Sequence, residues 1–284
     1  MLKLPGVTLC AVDCLTPSLA AEALRHSSRE IDFGEILLIS DVPQPTPVRQ
    51  VLIEPLNSRA AYSRFVLERL VEYVSTPYVL LIQWDGFVIH PRRWEDGFTK
   101  ADYIGAWWGW FQDEFNMGNG GFSLRSRRLL ECVARRLTTR SADAVGQQNE
   151  DLVICRELRP ALETIDGLVF ASAAVARAFS YERNAPEQPT FGFHGLFNFW
   201  RHVDDSRVID MLPTMPDLLV RGSEYCELML IYLQQKKFTL FEAMFARAVM
   251  TEAPEQIQGR IDKLIRDPLA AMQIVAFGSR LLAL

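Results

Sequence analysis

The chain begins with apolar runs separated by amphipathic stretches. Val7 to Val12 is a short β-prone run that stops at Asp13, and Thr16-Pro17 supplies a cap and a first-turn proline for a helix over 18–30. A second strand is expected at 35–40, ended by Asp41 and the proline-rich loop 42–47, and a third at 48–53. Asn57-Ser58 then opens a helix in which Tyr62, Phe65, Val66, Leu70 and Tyr73 recur at helical spacing. Thr76-Pro77 ends it before the wholly apolar run Tyr78 to Ile82. Apolar strands alternating with amphipathic helices predict a mainly parallel sheet covered on both faces. Ligands of such sheets sit beyond the carboxyl ends of the strands, where Asp13, Asp41 and Asp85 all fall.

Beyond Asp85 the pattern becomes mixed. Strand-like runs at 103–106 and 121–124 flank an aromatic, glycine-bearing loop, 107–119. A helix over 127–136, a polar loop to Asn149, a helix from Glu150 and a strand at 168–171 follow. From about Asp204 the strand signal stops, and 224–235, 240–249, 255–265 and 268–282 all read as amphipathic helices. The expected division is therefore a sheet-bearing domain, 1–203, and a helical C-terminal extension, 204–284. Met229, Leu230, Leu233, Phe241, Met244 and Phe245 carry more apolar surface than one solvated helix row needs. Internal packing is expected for them, with a homodimer contact or a peripheral membrane surface as the other uses of the tail.

Composition works mainly by exclusion. With 284 residues, 49% of them hydrophobic, the chain can bury a large core. A net charge of -5 leaves no general basic surface, so no nucleic-acid partner is expected. The five cysteines include no C-x-x-C pair, which argues against a disulfide framework and a zinc ribbon and for a reducing compartment. No signal-peptide-like apolar segment opens the chain, and no stretch approaches the ~20 apolar residues that span a bilayer. The expected location is cytoplasmic, with any membrane contact peripheral and at the inner face.

Four segments carry candidate chemistry. In Gln83-Trp84-Asp85-Gly86 an apolar strand stops at an acid beside a glycine; carboxylate oxygens there suit Mn²⁺ or Mg²⁺, and the plain alternative is an aspartate that favours the bend. Gly118-Asn119-Gly120-Gly121 lets backbone amides approach a ligand, or is simply a hairpin. Asn149-Glu150-Asp151 opens a helix, where the acids serve either as a cap in the positive first turn or as a general base. Phe193-His194-Gly195 offers an imidazole, a fit metal ligand, although a lone histidine is more often a surface or core residue.

Taken in order, these segments resemble the glycosyltransferases of the GT-A fold, with their nucleotide-binding first strand, Asp-x-Asp metal motif, glycine-rich segment, x-Glu-Asp segment and late histidine. The phrases YIGAWW, GNGGFSLRSRRLL, NEDLVICREL and FGFHG are similar to a bacterial glycosyltransferase-like family catalogued as a domain of unknown function. The resemblance covers roughly residues 5 to 200. It implies a GT-A-like, Rossmann-type mixed α/β sheet flanked by helices, and an enzyme that moves a sugar from a nucleotide-sugar donor to a glycan or other hydroxyl acceptor, in bacterial surface polysaccharide synthesis.

Carried over by position, the resemblance makes Asp85 and His194 the metal ligands, for Mn²⁺ or Mg²⁺. Asp151, with Glu150 beside it, becomes the catalytic base segment of an inverting transferase. Val12, Asp13 and Cys14 fall where the nucleotide rests, Gln83 and Trp84 complete the Asp-x-Asp position, and Asn119, Gly120 and Gly121 shape the donor-sugar pocket. Gln83 departs from the pattern, standing where the first acid belongs. That departure keeps open a catalytically silent nucleotide-sugar or glycan-binding domain, and a nucleotidyltransferase, which shares the sheet and the acidic metal site, is the third reading.

Overall fold

A computed structural model describes residues 1–137 and 148–283. The polar loop expected before Asn149 lies largely outside the described residues. Contacts divide the chain into two compact units, Met1–His194 and Gly195–Leu284.

The first unit is built on a six-stranded sheet. Its strands are β1 (Leu2–Val12), β2 (Ile31–Ser40), β3 (Arg49–Leu52), β4 (Tyr78–Ile82), β5 (Tyr103–Ile104) and, after a small β6–β7 hairpin (Ala106–Trp107 with Met117–Gly118), β8 (Phe122–Ser126). The order is β3-β2-β1-β4-β8-β5. β1 to β4 run parallel, whereas β8 is antiparallel to both β4 and β5. The start of β8 and the ends of β1 and β4 therefore share one edge.

The helices explain the apolar runs. α1 (Pro17–Ser27) lies against β1 and β2. α2 (Arg59–Glu68) and α3 (Arg127–Leu137) contribute Phe65, Val66 and Leu130 to a core cluster with Cys10, Val12, Leu37, Ile39, Val79 and Leu81. Alternate strand residues point to opposite faces, so Leu9, Ala11, Leu38 and Leu80, equally buried, belong to the other one. Burial on both faces is why these strands read as continuous apolar runs.

Two local expectations change. The run at 168–171 forms only a single bridge, Phe170 to Tyr103, with backbone bonds from Asp102 N–H to Val169 O (2.6 Å) and from Ala171 N–H to Tyr103 O (3.0 Å). Thr16 stands at the N-cap of α1, but its hydroxyl does not cap the helix; it donates to Asp13. α4 starts as Glu150–Leu152, widens through a π-helical stretch, Val153–Leu158, and closes as Arg159–Thr164. α5 (Ala173–Phe179) leads into β9 (Ser180–Tyr181), which pairs in parallel with β10 (Gly192–Phe193).

The second unit is helical throughout its described residues. Its longer helices, Ser223–Gln234, Phe238–Val249, Pro254–Ile265 and Pro268–Leu281, bury Tyr225, Tyr232, Phe241, Met244 and Phe245 among themselves and their neighbours. A mixed sheet flanked by helices, followed by a helical C-terminal region, is the architecture that the sequence pattern predicts. No described helix is long and apolar enough to cross a membrane.

Candidate functional site

β4 delivers its acid through a tight turn. Gly86 N–H donates to Gln83 O (3.1 Å), and Gln83 N–H donates to Gly121 O (2.9 Å), which ties this turn to the glycine loop. Asp85 is 6% exposed within it, and Trp84 is half-buried. β10 carries His194 to the same place, its N–H held by Tyr181 O at 3.0 Å.

The imidazole of His194 is the hub. Its Nε2 lies 3.2 Å from Gln83 Oε1 and 3.4 Å from Asp85 Oδ1. Its Nδ1 lies 3.2 Å from both Glu182 Oε1 and Asn119 Nδ2. Burial by itself would push the His194 pKa down, but the charges and hydrogen bonds of Asp85 and Glu182 outweigh it and raise it well above the ordinary value. Gln83 Nε2 donates to the Tyr62 hydroxyl (3.2 Å), which turns the amide oxygen of Gln83 toward the ring.

The glycine loop exists to make room for these groups. Asn119 is in the left-handed region (φ 87°), and its Oδ1 accepts from the N–H groups of Gly121 (2.8 Å) and Phe122 (3.1 Å). A Cβ on Gly121 would lie 2.0 Å from His194 Nε2, and one on Gly120 would lie 1.8 Å from Glu150 Oε1. Neither position can hold a side chain unless its neighbour moves.

α4 sends two adjacent acids in different directions. Glu150 is buried, and its Oε1 accepts from Nη2 of the fully buried Arg125 (3.2 Å). Arg125 Nε in turn donates to Ser123 Oγ (3.0 Å). Asp151 faces the loop: Oδ2 accepts from Gly120 N–H (3.1 Å) and Oδ1 from Leu152 N–H (2.8 Å). Burial foremost, then the charge of Glu150, pushes the Asp151 pKa up to about 6 against the opposing pull of those hydrogen bonds and Arg125. Asn149 occupies the N-cap, but its side chain caps nothing.

At the end of β1 the picture is more local. Asp13 Oδ1 accepts from the N–H groups of Leu15 (2.8 Å) and Thr16 (2.6 Å), and Oδ2 from the Thr16 hydroxyl (2.8 Å). Its carboxylate thus shapes the turn into α1. Burial raises its pKa, with Asp85 adding to the effect. Val12 is buried and Cys14 half-buried, the thiol raised first by burial and facing backbone groups of Leu56 and Asp41. Asp41 Oδ1 is buried with no hydrogen-bond partner among the described residues.

Gln83, Asp85, Asn119 and His194 therefore meet in one contact network, and Gly120, Gly121, Glu150 and Asp151 adjoin it. Val12, Asp13 and Cys14 stand apart at the next strand end. Sequence reasoning missed two participants: Tyr62 sits in the apolar stripe of α2, so only its hydroxyl distinguishes it from core, and Glu182 belongs to no motif. Arg125, which in sequence reads as a loop cation able to meet an anion, meets instead the buried carboxylate of Glu150.

Gln83 Oε1, Asp85 Oδ1 and His194 Nε2 form a donor set of two oxygens and one imidazole nitrogen, which suits Mn²⁺ or Mg²⁺ with phosphate and water as further ligands. Glu182 approaches the opposite ring nitrogen and stands outside that set. Among the described residues no group of three His, Cys, Asp or Glu side chains gathers as a metal site.

A family model described as "Protein of unknown function (DUF5672)" matches residues 46–194, more than half of the chain. No curated protein matches the sequence. Among solved structures the chain is similar to a glycosyltransferase involved in glycosylation of the major capsid of PBCV-1, at 12% identity and a TM-score of 0.43, over 66% of this chain and 91% of that one. It is similar to the apo-form glycosyltransferase GlyE of Streptococcus pneumoniae TIGR4, at 12% identity and a TM-score of 0.36, over 66% of this chain and 53% of that one. It is also similar to the mannosyltransferase PcManGT of Pyrobaculum calidifontis, solved with GDP-Man and Mn²⁺, at 11% identity and a TM-score of 0.38, over 99% of this chain and 76% of that one.

Proposed function

The chain belongs to the DUF5672 family, and we propose that it is an inverting glycosyltransferase that moves a sugar from a nucleotide-sugar donor to a hydroxyl of a glycan. The observation that carries this reading is the placement, at one sheet edge, of a poised carboxylate, Asp151, beside the oxygen and imidazole donors of Gln83, Asp85 and His194.

Each part has a task. Asp151, with its pKa near 6, is ionised at neutral pH yet basic enough to take a proton. The acceptor oxygen bonds to the anomeric carbon as its proton passes to Asp151 Oδ, and the bond from that carbon to the diphosphate breaks, its electron pair leaving with the nucleoside diphosphate. Gln83, Asp85 and His194 would hold a divalent cation, which when bound neutralises charge on the departing diphosphate. Asn119 and the N–H groups of the glycine loop border the donor sugar. The nucleoside lies over the end of β1, where Val12, Asp13 and Cys14 line the edge and the buried Asp41 Oδ1 can accept a ribose hydroxyl. On this reading the acceptor is a bacterial surface glycan, extended at the cytoplasmic face.

A thermal-shift panel of nucleotide sugars, with and without Mn²⁺, tests the reading, because a ligand of the folded state raises apparent stability by mass action. A shift with one nucleotide sugar that grows with Mn²⁺ is expected. A flat panel removes the donor site, and release of pyrophosphate instead of nucleoside diphosphate makes the protein a nucleotidyltransferase.

A further inference from the structure

Between β6 and β7 the chain carries large aromatic rings that are not equivalent. Trp108 is core, 3% exposed and packed on Gly118. Trp107 is covered by the Arg177 guanidinium, 3.3 Å from the ring centroid, and Phe111 by that of Arg156 at 3.9 Å. Trp110 keeps 50% of its surface exposed, with its ring 6.1 Å from those of both Trp108 and Phe111.

The loop that carries the exposed ring is tied down on both sides of it. Arg156 grips the loop with a bidentate pair to Asp113 (2.7 and 2.8 Å) and a third bond to Phe115 O (2.8 Å). Asn184 Nδ2 donates to Trp107 O at 3.3 Å. Every one of these holds comes from a segment that also serves the site: α4 carries Asp151, the stretch after β9 carries Glu182, and the stem of the hairpin continues into Asn119. The π-helical widening, Val153–Leu158, begins two residues after Asp151 and contains Arg156. Residues five apart diverge on an ordinary α-helix of ~3.6 residues per turn, whereas an i→i+5 turn returns them toward one face. Asp151 and Arg156 accordingly touch the two ends of one hairpin, Gly120 and the Asp113–Phe115 tip.

We propose that Trp110 is the acceptor platform of this site: its exposed indole face stacks on a pyranose ring of the acceptor glycan, and Arg156 is the positioning residue that fixes that platform relative to Asp151. The proposal rests on the glycosyltransferase reading and adds the side from which the acceptor arrives. The sheet order supports that side, since the hairpin grows from β5 and leads to β8, across β4 from the β1 edge assigned to the nucleoside. A flat indole matches the apolar C–H face of a pyranose, and three anchored contacts keep its ordering cost low.

Saturation-transfer NMR on the full chain, with a panel of methyl hexopyranosides and 6-deoxyhexopyranosides, tests this without turnover. At least one pyranoside is expected to receive saturation, Trp110→Ala to weaken it about tenfold, Trp110→Tyr to retain most of it, and Arg156→Lys to weaken it while the indole remains. A pyranoside bound equally by Trp110→Ala, or none bound by the parent, overturns the platform. The same variants are run against the nucleotide-sugar panel. A donor shift that survives in Trp110→Ala keeps fold and donor site intact, so lost pyranoside binding is then the platform's own. Pyranoside binding at Trp110 without any donor shift in the parent sinks the transferase reading and the acceptor role with it.

Discussion

At the Asp85 corner of the site, side chains hold side chains: Asp85, Gln83, Glu182 and Asn119 all converge on one imidazole. At the Asp151 corner, backbone holds the acid, through the N–H groups of Gly120 and Leu152, while the neighbouring Glu150 is spent on a buried arginine. The first arrangement sets two carboxylates, Asp85 and Glu182, around one imidazole whose pKa they raise. The second leaves an acid raised toward neutrality with lone pairs to spare, as a base requires. Two consecutive carboxylates thus adjoin the same Gly120 and have opposite fates, one paired with Arg125 and the other held by backbone N–H groups.

The largest expected effect separates those two acids. Asp151→Asn is expected to reduce transfer by roughly 10²–10⁴-fold while donor affinity, measured by calorimetry, stays close to the parent's. In the parent the rate should rise with pH through about 6 as Asp151 ionises, and that limb should vanish in the variant. Glu150→Gln is expected to do the reverse. It leaves Arg125 charged and unpaired in the interior, costing on the order of 3 kcal/mol by denaturant titration. A rate loss without a stability loss in Glu150→Gln would exchange the two roles.

Next in size is the cation corner. Asp85→Asn removes a charge with little change of shape, so donor affinity should fall about 10–100-fold with Mn²⁺ present and far less without it. Equal losses in both conditions would make Asp85 a structural member of the His194 network.

The smallest effect is on stability. Because the folded-state pKa of Asp151 lies above the ordinary aspartate value, its contribution is intact below that ordinary value, near 3.8, and is lost as pH rises through about 6. Asp151→Asn should therefore be more stable than the parent at pH 8, by about 1–3 kcal/mol, and match it near pH 3. Chemical denaturation at the two pH values reads this directly, and a variant less stable at pH 8 would contradict the strained-acid account.

The sheet was legible because its strands are buried on both faces and its helices repeat at helical spacing; Leu9, Leu38 and Leu80 leave no other reading. Asp85, the glycine loop, Asp151 and His194 were legible as punctuation, each standing beside an element boundary. Tyr62 and Glu182 were not, and Arg125 was legible only as a cation near the glycine loop, because their partners lie 12 to 25 positions away and nothing beside them in sequence marks a contact made only by folding. The strand read at 168–171 failed for the same reason: its apolar run is real, but β5 offers it a single bridge.

The most direct test of the central claim is a coupled measurement of donor breakdown and acceptor mass. The full chain is incubated with the nucleotide-sugar panel, Mn²⁺ and bacterial envelope glycan, and the products are read by mass spectrometry. The account predicts release of a nucleoside diphosphate matched by addition of one sugar mass to the glycan, both abolished by Asp151→Asn. Transfer undiminished in Asp151→Asn, or no nucleotide sugar consumed at all, would contradict it.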